Sequence, residues 1–274
     1  MTRRRIHQTS LSQTGTPKAR KSLGQNFLVD RSVIQRMIAL FDPAKDDTVL
    51  EIGPGHGALT EKLIGLAGKL YALEFDRPLI PILRERFAGN DNFVLLEEDA
   101  LAFEFATLRD GDKPLRLIAN LPYNISTAIL QRLFDYPALF KDCVLMFQRE
   151  VAERIMAPPG TKDRGYISVM TELYFTAEAL FDVPPGAFRP VPKVWSSVIR
   201  LTSQQPPHRS NDSFGRVVAA GFAQKRKTLG NNLKREFSNY LAALSAATID
   251  PMRRAESLTL DEWLRLSEAI ASCE

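Results

Sequence analysis

The sequence predicts an α/β fold, a doubly wound and mostly parallel sheet followed by a small all-α C-terminal domain. Short apolar runs with strand composition alternate with helically spaced apolar residues as far as residue 201. Most of the predicted strands end at a glycine or a polar residue, and beyond residue 213 the apolar spacing stays helical. We therefore divide the chain into a basic tail with the composition of a disordered segment (1–22), a sheet domain (23–203), a linker (204–213) and a helical domain (214–274).

The composition is that of a globular protein without a metal site. Of the 274 residues 45% are hydrophobic and 25% are charged, and no apolar run approaches the roughly 20 residues that span a bilayer. Cys143 and Cys273 lie far apart, and the three histidines have no ligand spacing. We expect no membrane contact, no metal and no disulfide framework, in a monomer of the reducing cytoplasm.

The net charge of +4 conceals a strong separation of charge along the chain. Segments 1–29 and 183–235 together hold 16 Lys or Arg and one acid, Asp212, whereas the rest holds 20 basic and 31 acidic residues. Such basic segments supply phosphate contacts to a polyanion. Either segment alone could be a solvated tail or helix face, but the two together favour a nucleic-acid partner.

The individual elements follow from local patterns. A helix is predicted from Val33 to Phe41, before Asp42 and Pro43. A further helical stripe contains Leu59, Leu63 and Leu66. The predicted strands are Thr48–Ile52, Lys69–Leu73, Phe93–Leu96, Leu115–Ala119, Cys143–Phe147, Leu173–Phe181 and Val194–Leu201.

Polar and glycine-rich residues follow the first three strands, where ligands bind in such sheets. Gly53-Pro54-Gly55-His56-Gly57 forms a strand-to-helix turn that lets the backbone approach a ligand closely. Glu74, 21 positions beyond Gly53, ends the next strand and could accept hydrogen bonds from two ribose hydroxyls, which suits NAD and S-adenosylmethionine equally. Asp99 ends the third and could accept from an adenine amino group, which favours S-adenosylmethionine. Each feature alone could also be a turn without a ligand.

Asn120-Leu121-Pro122-Tyr123 follows the fourth strand. An exocyclic adenine nitrogen is a poor nucleophile because its lone pair is delocalised into the ring. The Asn120 side-chain oxygen and a backbone carbonyl stiffened by Pro122 can accept the two amino hydrogens and make the pair available. Tyr123 offers a face on which a flipped base stacks. An ordinary turn is the alternative interpretation.

With these residues the chain resembles the ribosomal RNA adenine dimethyltransferase family, in its small-subunit branch. The resemblance extends over nearly everything after residue 20. It is carried by the segments Lys21–Leu28, Glu51–Gly55, Asn120–Ser126, Phe188–Val194 and Phe222–Lys227, together with Glu74 and Asp99. Trp195-Ser196 is a departure, because many members carry an acid there, and this affects the positioning of the substrate loop.

The resemblance implies a Rossmann-like methyltransferase sheet and a set of site residues. The residues that it assigns to S-adenosylmethionine are Asn26, Leu28, Gly53, Gly55, Glu74, Asp99 and Asn120. It implies that Asn120, Leu121, Pro122 and Tyr123 present the target amine and that Phe188 covers the other face of the base. The implied substrate is a pair of adjacent adenosines in a hairpin loop near the 3′ end of small-subunit rRNA, within an assembling particle.

Three alternatives stay open at this point. One is a methyltransferase acting on another adenine, in large-subunit rRNA or in DNA. Another is an assembly factor whose main role is to bind rRNA through the same basic surfaces. A third, an NAD dehydrogenase, fits the glycine turn but lacks a candidate hydride-transfer site.

Overall fold

The described part of the computed structural model comprises Arg20, residues 24–204, His208 and residues 210–272. Most of the predicted basic tail, Cys273 and part of the predicted linker lie outside these residues. Within the described residues the strands are β1 (Phe27–Leu28), β2 (Thr48–Ile52), β3 (Lys69–Leu73), β4 (Phe93–Leu96), β5 (Leu115–Asn120), β6 (Phe140–Gln148), β7 (Phe175–Val183), β8 (Phe188–Arg189) and β9 (Ser196–Ser203). The helices there are α1 (Arg31–Phe41), α2 (Thr60–Leu63), α3 (Ile80–Arg86), α4 (Ser126–Phe134), α5 (Arg149–Ile155), α6 (Tyr166–Tyr174), α7 (Phe214–Phe222), α8 (Leu229–Leu233), α9 (Tyr240–Ala246) and α10 (Leu260–Ser272).

Seven strands form one sheet in the order β4-β3-β2-β5-β6-β9-β7. The five strands from β4 to β6 are parallel, while β9 is antiparallel to both β6 and β7. The strand order reverses between β2 and β5, so their carboxyl ends flank the crevice where ligands bind in open α/β sheets. The separate pair β1 and β8 lies beside the sheet and joins Phe27 to Arg189 and Leu28 to Phe188. The predicted fold class is confirmed.

Several boundaries differ from those predicted. Strand β7 begins two residues late, because Leu173 and Tyr174 complete α6, and β9 begins at Ser196, which leaves Val194 and Trp195 in an exposed loop. Helix α2 ends at Leu63, and the buried Ala67, instead of the exposed Leu66, packs beneath it. Apolar spacing alone cannot fix where such short elements stop.

The helical C-terminal region shares its buried cluster with the sheet. Phe214, Val217 and Trp263 belong to the same cluster as Leu145 and Phe147 of β6. The second half of the predicted linker is also tied down, because the Ser267 hydroxyl of α10 donates to Asn211 Oδ1 at 2.6 Å. The helical region therefore packs directly against the sheet region, and the boundary between two domains stays a prediction.

Candidate active site

The glycine turn after β2 has a left-handed backbone where the sequence predicts close approach. Gly53 and Gly55 have φ values of +68° and +59°, which a side chain would strain. At Gly55 an added Cβ would also lie 2.9 Å from the Phe27 ring. The Phe27 ring also contacts the His56 ring at a tilt of 54°, with centroids 4.2 Å apart, so β1 closes over the turn and fixes its shape.

Glu74 lies at the end of β3 and accepts three backbone hydrogen bonds. Gly55 donates to one carboxylate oxygen at 3.2 Å, and Phe75 and Asp76 donate to the other at 3.0 and 2.8 Å. The side chain is only 7% exposed. Burial raises the pKa of Glu74, and the three N–H donors oppose that rise. Its position is therefore fixed by the same glycine turn that follows β2.

The carboxyl ends of β2, β3, β4 and β5 surround a cavity of about 150 Å³. Gly53, Glu74, Asp99 and Pro122 are among the residues that line it, and the remaining walls are mostly apolar. Asp99 is held in place because Leu101 N donates to its carboxylate at 2.9 Å. An apolar slot with a carboxylate at two of its edges can hold a flat ring and the sugar attached to it.

A smaller cavity of about 70 Å³ shares Gly53 with the first and is lined by Leu28, Gly55 and Asn120 among others. Asn26 is joined to it because Asn120 Nδ2 donates to the Asn26 carbonyl at 3.1 Å. The structure thus brings together every residue predicted to hold a cofactor. This placement is a fact of the fold, while the ligand that each residue contacts stays a prediction.

The tetrapeptide Asn120–Tyr123, which begins at the last residue of β5, has two acceptors without a partner among the described residues. Asn120 uses its amide nitrogen for the bond to Asn26, and no described residue donates to its Oδ1. Among the backbone carbonyls, that of Pro122 accepts from Ile125 N and that of Tyr123 accepts from the Ser126 hydroxyl. The Leu121 carbonyl accepts from no described residue, so it is the backbone acceptor beside Asn120 that has no partner there.

Tyr123 is half-buried, and its hydroxyl lies 2.7 Å from the Ser196 hydroxyl at the start of β9. Burial raises the pKa of the Tyr123 phenol, which therefore stays neutral near pH 7. A neutral phenol held at its tip by Ser196 presents its ring as a surface and is not a base. No motif in the sequence identifies Ser196 as its partner.

Phe188, predicted to cover the base, is fully buried in a cluster that includes Leu28 and Met146. A base can contact the Phe188 ring only if neighbouring side chains move aside. Its predicted role stays a prediction and now requires that movement.

Two buried carboxylates were not assigned by the sequence. Glu51 on β2 is 1% exposed, accepts from the Thr60 hydroxyl at 2.6 Å and lines the smaller cavity. Burial, with the nearby Glu74 charge, raises the pKa of Glu51 to about 7. Asp76 accepts from Arg20 at 2.9 Å and from Gln25 at 2.8 Å, which ties the N-terminal segment to the rim of the larger cavity.

The basic stretch Lys225–Lys227 is an exposed turn between α7 and α8 and not a helix. Asn232 holds this turn by donating to the carbonyls of Gly221 and Gln224. The three cations are therefore displayed on a turn that is anchored from beneath.

A sequence profile described as ribosomal RNA adenine dimethylase matches residues 16–272 of this chain. The chain belongs to the ribosomal RNA adenine dimethylase family. This confirms the family and the class of enzyme that the sequence predicts.

Relatives and solved structures agree with the assignment. The chain is 44% identical to ribosomal RNA small subunit methyltransferase A of Hahella chejuensis, over 92% of this chain and 93% of that protein. It is 42% identical to the protein of that name from Pseudomonas aeruginosa, over 95% and 98%. A dimethyladenosine transferase from Plasmodium falciparum superposes with a TM-score of 0.73 at 28% identity, covering 87% of this chain and 95% of that one. The 23S rRNA methyltransferase ErmE superposes with a TM-score of 0.67 at 28% identity, covering 90% and 100%.

Proposed function

We propose that this chain transfers methyl groups from S-adenosylmethionine to the N6 atoms of two adjacent adenosines in small-subunit rRNA. The observation that carries the proposal is that a candidate cofactor cavity and a pair of acceptors, unpaired among the described residues, lie next to each other at the carboxyl edge of the sheet. A cavity bounded by Gly53, Glu74 and Asp99 shares Gly53 with the smaller cavity that Asn120 lines, and Leu121 follows Asn120 in the chain. A donor site and an acceptor site for one group transfer therefore lie side by side.

The residues present fit S-adenosylmethionine. Glu74 offers a buried carboxylate for ribose hydroxyls, Asp99 offers one for an adenine amino group, and the apolar walls between them suit an adenine ring. The left-handed turn at Gly53 and Gly55, with Asn26, Leu28 and Asn120, would hold the amino-acid end. When bound, S-adenosylmethionine supplies a methyl group on a sulfonium, which is already activated for attack by nitrogen.

The residues of this chain orient the amine. Asn120 Oδ1 and the Leu121 carbonyl would accept its two hydrogens and favour the positive charge that develops on nitrogen. Tyr123 would hold the base by stacking, worth about 1–3 kcal/mol. No strong base is required, because the nitrogen becomes acidic once methylated and its proton can pass to water or a carbonyl. In the second round the amine has one hydrogen left, so a single acceptor has to suffice.

The small subunit is favoured over the large one as the substrate. Curated relatives at 42–45% identity carry the small-subunit name, whereas the 23S rRNA methyltransferase ErmE is 28% identical. No helix of the described residues is long and apolar enough to cross a membrane. We propose that the protein acts as a monomer in the cytoplasm. Its substrate would be a hairpin loop near the 3′ end of the rRNA in an assembling particle.

The test is methylation of small ribosomal subunits from a strain that lacks this protein. Mass spectrometry should show two adjacent dimethyladenosines after incubation with the protein and S-adenosylmethionine, and large subunits should gain none. Comparing assembly in the deletion strain with a strain carrying Asn120→Ala separates an enzyme from a factor that acts by binding. Methylation of large subunits alone would contradict the proposal.

A further inference from the structure

The loop between β8 and β9 exposes several large apolar side chains. Val191, Val194 and Trp195 are 56%, 42% and 48% exposed, and they make up three of the eight large hydrophobic side chains that are exposed in the described residues. Arg189, at the end of β8, and Lys193, in the loop, are also exposed. A cluster of exposed apolar side chains of this kind indicates a contact surface.

The backbone of this loop is fixed at both ends. Arg189 pairs with Phe27 through the ladder of β8 and β1. At the other end Arg149 N donates to the Trp195 carbonyl at 3.0 Å. The next residue, Ser196, bonds the Tyr123 hydroxyl at 2.7 Å. Trp195 is therefore an exposed aromatic side chain on an anchored backbone. It directly precedes Ser196, which holds Tyr123, and we expect Tyr123 to hold the target base.

The positive charge beside the exposed Trp195 ring suits a nucleic acid. Residues 184–195 contain two cations and no acid. Arg149, on the adjoining helix α5, is already paired with Glu153 at 3.0 Å. Arg189 is exposed, but its Nη1 donates to the carbonyls of Gly186 and Phe188 at 3.1 and 2.8 Å. Its remaining N–H groups and the exposed Lys193 are therefore the cationic groups available to an external partner. Exposed aromatic rings beside cations are typical of surfaces that bind single-stranded nucleic acids.

We propose that Trp195 stacks on an unpaired nucleotide next to the target adenosine, with Arg189 and Lys193 contacting its phosphates. This inference rests on the proposed function and adds the flanking nucleotide to it. The proposed contact lies outside Asn120–Tyr123, the residues that present the amine. It would position the loop and leave the chemistry to Asn120 and Leu121.

The test uses Trp195→Ala, Trp195→Phe and, as a matched control, Leu241→Ala, which truncates an exposed apolar side chain on α9. Methylation of unmodified small subunits is measured for each, together with S-adenosylmethionine affinity and thermal stability. Trp195→Ala should lose about 5- to 150-fold in kcat/KM, matching one lost stacking contact. Trp195→Phe keeps a ring and should stay within a few-fold of wild type, and Leu241→Ala should be unchanged. The S-adenosylmethionine affinity and the thermal stability of all three variants should equal those of the wild type.

Direct contact can be read from intrinsic fluorescence, because the other tryptophan, Trp263, is fully buried. An RNA hairpin whose loop contains two adjacent adenosines should quench the exposed tryptophan, and a blunt duplex should not. In Trp195→Phe the quenching should disappear.

Wild-type kcat/KM in Trp195→Ala would overturn the inference while the proposed function stands. The inference would also be overturned if Trp195→Ala lost kcat/KM on subunits but bound the RNA hairpin without ribosomal proteins as tightly as wild type does. The β8–β9 loop would then contact a ribosomal protein. Failure of the wild-type protein to methylate subunits would instead overturn the proposed function.

Discussion

The Asn120 side chain donates its amide nitrogen to the Asn26 carbonyl at 3.1 Å. Because a carbonyl can only accept, this bond fixes which end of the amide faces the N-terminal segment and leaves Oδ1 as the end available to a substrate. Asn26, directly before β1, thus determines how Asn120, the last residue of β5, is presented. Both residues also belong to the set predicted to bind the cofactor, so cofactor and substrate recognition meet at one amide.

Glu74→Ala should weaken S-adenosylmethionine binding by about ten-fold or more. The substitution removes charge-assisted hydrogen bonds worth roughly 1.5–3 kcal/mol each, and about 1.4 kcal/mol is a decade in affinity. Calorimetric titration measures the change. Glu85→Ala, which removes an exposed acid on α3, is the matched control and should bind as wild type does. Unchanged affinity in Glu74→Ala would remove Glu74 from the cofactor site.

Replacing Lys225, Arg226 and Lys227 together with Ala should weaken RNA binding and flatten its salt dependence. Each lost phosphate contact lowers the slope of log K against log salt by about 0.7–0.9. Lys141→Ala, an exposed cation near the amino end of β6, should leave the slope unchanged. If the triple variant keeps the wild-type slope in binding titrations at several salt concentrations, this turn does not contact RNA.

Tyr123→Phe keeps the ring, loses the bond to Ser196 and should retain most activity. Tyr123→Ala loses the stacking face and should lower methylation, chiefly by weakening engagement of the adenosine. Steady-state kinetics on small subunits should therefore show a raised KM for the Ala variant. A large loss in both variants would mean that the hydroxyl, and not the ring, is what the reaction needs.

Much of the fold was predictable because several strands are short, buried and bounded by polar or glycine residues. The bounds of β2, β3 and β4 match those predicted from Thr48–Ile52, Lys69–Leu73 and Phe93–Leu96. The starts of β7 and β9 did not match, because the aromatic and β-branched residues before them also suit a helix or a loop. Tertiary contacts decided both boundaries.

The sequence predicted which residues come together at the candidate site but not the contacts that hold them there. Gly53, Glu74 and Asp99 follow consecutive parallel strands, so the topology alone brings them to one edge. Contacts between distant segments left no local signal, as with Ser196 on Tyr123 and Gln25 on Asp76. Burial was also hidden, because Phe188 follows a proline-rich loop in the sequence yet lies wholly inside the structure.

Glu51 should make the stability of the cofactor-free protein depend on pH. Its pKa is about 7 in the folded protein against 4.5 ordinarily, so folding favours its protonated form. The stabilisation from that proton is complete below about pH 4.5 and is lost as the pH rises through 7, a change of about 3 kcal/mol. Relative to wild type, Glu51→Gln should therefore gain unfolding free energy over this range.

Denaturant unfolding at a series of pH values between 4.5 and 8 measures the difference. Glu61→Gln, at an exposed acid of α2, is the control and should follow the wild-type curve. Parallel curves for wild type and Glu51→Gln would show that Glu51 does not titrate in this window.

The central claim is that Asn120 orients the target amine through its free Oδ1. It is tested most directly by single-turnover methylation of small ribosomal subunits at saturating RNA and cofactor, with mono- and dimethyladenosine resolved over time. Asn120→Ala should slow the chemical step in both rounds, because the amine loses an acceptor that bears on developing charge in the transition state. Wild-type rates for both products in Asn120→Ala would contradict the claim and make Asn120–Tyr123 an ordinary turn.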